Sequence, residues 1–178
     1  MPDREHLVLP EDACDADLRE ASPDGAVLCR AVYGSQELIS RFEENWAALD
    51  IRQEIAALGY GLDSLFNRGR SIQEFTALTA ALWKLALEQS FPEDNVAFFA
   101  DFMEKSSILG KGAKRRKLQQ RVQIYLDLCG PKKATDFTPV AVYMGEFFCR
   151  NVEDGKTLQF KLSLTIRRIY NAIFEHLI

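Results

Sequence analysis

Three observations predict an all-α protein. Apolar residues recur at spacings of three and four from Leu38 to Leu177, the S-x-x-E helix-start signature occurs at Ser71 and at Ser90, and glycine or proline punctuates the intervals between stripes. At 178 residues the chain has the length of one ordinary domain. Its balance of 47% hydrophobic and 27% charged residues is that of a globular protein and excludes a disordered or collagenous one.

Residues 1–34 carry eight acids, three basic residues and three of the six prolines without periodicity, which predicts a flexible acidic leader. Residues 35–178 are then a single helical domain. Its first stripe, Leu38, Phe42, Trp46 and Leu49, continues on a shifted face through Ile51, Ile55 and Leu58 and stops at Gly59 and Gly61. Ser71 and Glu74 predict a capping box opening a nearly uncharged, centrally buried helix. Ser90 and Glu93, with Pro92 in the first turn, predict the next helix start, whose face is Val96, Phe99, Phe102 and Met103.

A basic helix follows Gly110 and Gly112, with Leu118, Val122, Tyr125, Leu126 and Cys129 as its stripe and Gly130-Pro131 as its stop. Thr138-Pro139 opens another helix through Val140, Tyr143, Met144 and Phe147. The last stripe is Leu162, Ile166, Ile169, Ile173 and Leu177. Leu158, Phe160, Leu162, Leu164 and Ile166 also alternate after the turn dipeptide Asp154-Gly155, so a small β-hairpin over 147–164 is the competing expectation there.

Chemistry is conspicuous by its scarcity. The two histidines, His6 and His176, offer almost no base for a nucleophilic device, and no phosphate-binding loop, dinucleotide fingerprint or zinc-ligand pattern occurs. Cys14, Cys29, Cys129 and Cys149 show no CxxC spacing and read as reduced thiols. The sequence therefore predicts no catalytic residue, no metal and no cofactor. With no apolar run near the roughly 18 residues of a span and an acidic amino terminus, it predicts a cytoplasmic protein.

The net charge of −4 hides an asymmetry, since residues 1–110 carry net −11 and residues 111–178 net +7. Lys111, Lys114, Arg115, Arg116, Lys117 and Arg121 form a run without an acid. It lacks the interleaved aromatics of a nucleic-acid surface. Lys111, Lys114, Arg115 and Lys117 are thus expected to be exposed on a mobile loop and first helical turn, either as a solvated helix start or as a contact to an anionic membrane at its cytoplasmic face.

Residues 90–99, SFPEDNVAFF, resemble the E-F-S-E-E-N-I-x-F-W signature of the regulator-of-G-protein-signalling (RGS) domain. Ile124-Tyr125, GPKKATDF, Arg150-Asn151-Val152 and Ile169-Tyr170-Asn171 resemble further landmarks in the family's order, so the resemblance covers about residues 83–178. It implies an RGS-like fold, an antiparallel four-helix bundle beside a subdomain of terminal helices. It also implies a function: binding a G-protein α subunit, or a related signalling partner, and holding its switch segments while that subunit's own residues hydrolyse GTP. The chain would then be no enzyme, at most a GTPase activator acting through its partner. The resemblance assigns partner contacts to Phe91, Pro92, Asp94, Asn95, Thr135, Ala172 and His176, with Asp94 and Asn95 exposed beside the loop carrying Thr135. Thr135 stands where the family has an asparagine, and the family's last contact patch is mostly absent around Ala172, His176 and Leu177, which implies weakened GTPase acceleration. The rival reading is a non-enzymatic helical adaptor or scaffold binding a partner protein or an anionic membrane surface.

Overall fold

The computed structural model describes residues 34–59, 68–130, 136–148 and 152–177. Every regular element among them is helical: α1 (Ser35–Ala48), α2 (Ile51–Leu58), α3 (Arg68–Ser90), α4 (Asn95–Lys105), α5 (Gly112–Cys129), α6 (Thr138–Phe148) and α7 (Val152–Leu177). Apart from Gly34, the acidic leader lies outside the described residues.

The shifted stripe of the first segment resolves into two helices. Leu38, Ile39 and Phe42 of α1 and Ile51, Ile55 and Leu58 of α2 enter the core, and the change of phase falls at Leu49-Asp50. There the Asp50 carboxylate accepts from the Gln53 N–H at 3.0 Å, an N-cap that starts α2 afresh. Gly59, at φ +80°, ends it.

Helix α3 is buried on nearly every side, residues 74–83 without interruption, as befits a helix at the centre of a molecule. The hydroxyls of Thr76 and Thr79 survive there by donating to the carbonyls of Ile72 and Phe75 at 2.7 and 2.8 Å. Ser71 and Glu74 do not form the expected capping box. They lie inside the helix, both buried, and Glu74 is used elsewhere. Nor does a helix begin at Ser90. Helix α3 runs through it and the Phe91 N–H still reaches the Leu87 carbonyl at 2.7 Å. Pro92 then breaks the ladder because it has no N–H to donate, and α4 starts only at Asn95.

The hairpin expected over 147–164 does not form. Residues 152–164 are helical, and among the described residues there is no strand. The helical register separates the alternating apolar residues: Leu158, Leu162 and Ile166 are fully buried while Phe160 and Leu164 are 66% and 54% exposed. Burial at every third or fourth residue, continued by Ile169, Ile173 and Leu177, outweighs the local alternation.

Helices α3, α5, α6 and α7 pack as a ring, each on the next. Glu74 meets Arg121 and Tyr125, Tyr125 meets Tyr143, Phe147 meets Arg121, and Gly145 faces Gln159. Together with Phe137 on Tyr170 at 5.3 Å, these contacts make α5 and α7 parallel and α6 antiparallel to both, and Arg70 on the Phe147 ring with Glu88 near Tyr170 aligns α3 with α5 and α7. The ring therefore differs from the expected antiparallel bundle of the middle helices. Helix α4, only 11 residues long, folds back on α3 and is occupied by α1, so it serves as the return leg rather than as a member. Phe42, Trp83 and Phe102 join α1, α3 and α4, with ring centroids 4.5 Å apart for Phe42 and Phe102 and 5.2 Å for Phe42 and Trp83. Helices α1 and α2 lie antiparallel on α7, through Asn45 to the Ala172 carbonyl at 3.0 Å and through Glu54 to Arg168.

Candidate functional site

Tyr170 marks one end of the ring. Burial pushes its phenol up, and the nearby Cys129 and Glu88 push in the same direction, which puts the last turns of α3, α5 and α7 at the same end. Phe137, just before α6, packs on its ring. The α3–α4 turn, both flanks of the 130–137 connection and the carboxy-terminal turns of α7 thereby share an end. The Tyr170 hydroxyl is buried there without a hydrogen-bond partner among the described residues, and burial raises the Cys129 thiol to about 11, so that cysteine is a packing residue rather than a nucleophile.

At this end Pro92 and Asp94 are exposed and Phe91 is half-buried, edge-on to Phe98 at 5.5 Å. Asn95 corrects its expectation. It is 7% exposed, accepting from the Lys84 ammonium and donating from Nδ2 to the Pro92 carbonyl at 2.6 Å. It locks the turn that presents Asp94 and offers no amide to a partner. Thr135, with residues 131–134, lies outside the described residues. Ala172 is half-buried, and its carbonyl is taken by Asn45. His176 is exposed on the α1 side of α7, with its carbonyl accepting from Arg41 at 3.3 Å and its Nδ1 2.9 Å from the Ala172 carbonyl.

The basic run is at the opposite end and divides by role. Lys111, Lys114, Arg116 and Lys117 are exposed on the N-cap and first turns of α5. Arg115 is not the solvent-facing loop cation expected of it. It is half-buried and donates from Nε to the Gly110 carbonyl and from Nη2 to the Ser106 carbonyl, each at 2.8 Å, with Nη1 on the Glu104 carbonyl. A cation at the amino end of α5 opposes that helix's dipole, but here it sits on the negative end of α4, where the sign is favourable.

Arg121 also turns inward, pairing with the buried Glu74 carboxylate, whose other oxygen accepts from the Tyr125 hydroxyl at 2.8 Å. Burial pushes the Tyr125 phenol well up, keeping it a donor. Sequence reasoning missed this triad. Its signal was Glu74, the lone acid between Arg70 and Lys84 in a helix otherwise read as buried.

The loop after α4 is tied to α1 by Glu43. Partial burial alone pushes this carboxyl up, but hydrogen bonds from the Ser107 N–H, the Ser107 hydroxyl and the Ser106 hydroxyl outweigh it and hold it below its ordinary value. A depressed folded value means stabilisation that is present above the unfolded pKa and lost as pH falls through the folded one. Glu43→Gln should therefore melt below the parent protein at pH 7, and the gap should close below about pH 4. Thermal unfolding followed by circular dichroism at both pH values checks this.

Among the described residues no group of three His, Cys, Asp or Glu side chains stands close enough to hold a metal ion, and no helix is long and apolar enough to cross a membrane. Compared with known proteins, the chain matches no family model, no curated protein and no solved structure.

Proposed function

We propose that the chain is a divergent RGS-like binding module that engages a G-protein α subunit, or a related signalling partner, through the end where the α3–α4 turn, Gly130 and Phe137, and the carboxy-terminal turns of α7 lie. The supporting observation is that three segments far apart in sequence, which the RGS resemblance marks separately, converge around Tyr170. Exposed Asp94 and Pro92, with half-buried Phe91 beneath them, supply a charged tip on an apolar base. This suits a small, rigid protein contact.

The module binds without contributing to catalysis. Thr135 carries no amide where the resemblance places the asparagine that reaches the partner's switch segments, and Asn95, one of the assigned contacts, is turned onto Lys84. An α subunit carrying GDP and aluminium fluoride should bind, and Asp94→Lys should weaken that binding by at least about thirtyfold, the effect of a hot-spot residue. Single-turnover GTP hydrolysis should accelerate less than about tenfold, against the far larger gains that a complete activator gives. Failure to bind any α subunit, or binding indifferent to Asp94→Lys, would remove the reading.

A further inference from the structure

We infer that the opposite end of the ring is a docking site for the phosphorylated headgroups of an anionic membrane, centred on a cleft between the starts of α3 and α5. The cleft measures about 280 Å³ and is lined by Gln73, Ala113, Lys114, Lys117, Leu118 and Arg121. Its polar groups are cationic or neutral, and no acid is among them. Lys114 and Lys117 are exposed, with Lys111 beside them at the N-cap of α5. Arg121 is held by the Glu74 carboxylate, which the Tyr125 hydroxyl fixes in turn, and does not have to be ordered on binding. The Arg70 guanidinium lies 3.7 Å from the centre of the Phe147 ring and that of the cleft-lining Arg121 lies 5.8 Å from it, so α3 and α5 bring two guanidinium groups to one aromatic ring.

The arrangement separates these cations from the others in the run. Arg115 is consumed in capping α4. Lys111, Lys114 and Lys117 instead face water at a helix amino terminus, where their own helix dipole opposes them, and an external anion would offset that cost. Arg68 and Arg70, both exposed at the start of α3, widen the basic surface beyond the cleft. A broad cationic end around one cleft of this size fits a membrane presenting many headgroups better than a single soluble ligand. The inference is independent of the partner reading, because the partner surface lies at the other end.

The test is vesicle co-sedimentation of the full chain. Three kinds of vesicle are used: phosphatidylcholine alone, phosphatidylcholine with phosphatidylserine, and phosphatidylcholine with phosphatidylinositol bisphosphate at matched charge. Lys114→Gln/Lys117→Gln should lose about thirtyfold in binding to the phosphoinositide vesicles, as two lysines at a lipid surface are worth. Arg52→Gln/Arg167→Gln, which removes the same charge from exposed positions away from the cleft, should lose less than about threefold. Soluble inositol trisphosphate should compete. Equal losses in the two variants would mean diffuse attraction only and would overturn the site, as would indifference to headgroup at matched charge. Saturable binding of inositol trisphosphate without vesicle binding would replace the membrane by a soluble ligand.

Discussion

Arg121→Ala should destabilise the protein by about 3–5 kcal/mol, because it strands the Glu74 carboxylate in the centre of the ring. Glu74 is 1% exposed, and after the substitution the Tyr125 hydroxyl alone would remain to satisfy it. In a chain of this size each kcal/mol is worth roughly 2–4 °C of melting temperature, so the drop should be on the order of 10 °C. The loss belongs to the stranded charge rather than to the pair. Glu74→Met/Arg121→Met, which removes both charges and keeps the volume, should recover most of it. Equal melting of Arg121→Ala and the parent would show that the carboxylate finds water, and would contradict the buried placement of α3 against α5.

Phe102→Ala should cost a similar amount, about 3–5 kcal/mol, through the cavity it leaves. Phe102 is fully buried and makes ring contacts with Phe42, Trp83 and Phe99, so it joins α1, α3 and the return leg α4 at one point. The consequence should be local as well as global. Helix α4 is held by α3 and α1 and begins immediately after the turn that presents Asp94. Amide hydrogen exchange should quicken most in residues 95–105 and least in α6 and α7, which pack on each other without Phe102. A uniform acceleration over all seven helices would contradict this placement of α4 outside the ring.

The helices were legible because their stripes were long. From Leu162 to Leu177 the buried residues are those the periodicity picks out, and the competing alternation at Phe160 and Leu164 fell outside the core for the same geometric reason. Boundaries were less legible where a local signature competed with packing. Ser90 reads as a cap but ends a helix, because the core extends to Leu87 and draws one more turn with it, leaving the Ser90 hydroxyl buried and without a hydrogen-bond partner among the described residues. The roles of Glu74, Arg115 and Asn95 were invisible for a different reason. Each is settled by a residue 9 to 51 positions away, through Arg121 and Tyr125, the end of α4, and Lys84 respectively. The relative directions of α3, α5 and α7 were equally hidden, since periodicity says which face is buried and nothing about which neighbour buries it.

The convergence of three segments at one end, and its use in binding, is tested most directly by hydrogen exchange on the purified domain with and without a G-protein α subunit in its GDP–aluminium fluoride form. The expected footprint is slowed exchange in residues 88–95, 130–137 and 170–177 together, with residues 111–121 unchanged. Slowing confined to 111–121, or an exchange pattern that no α subunit alters, would contradict the account.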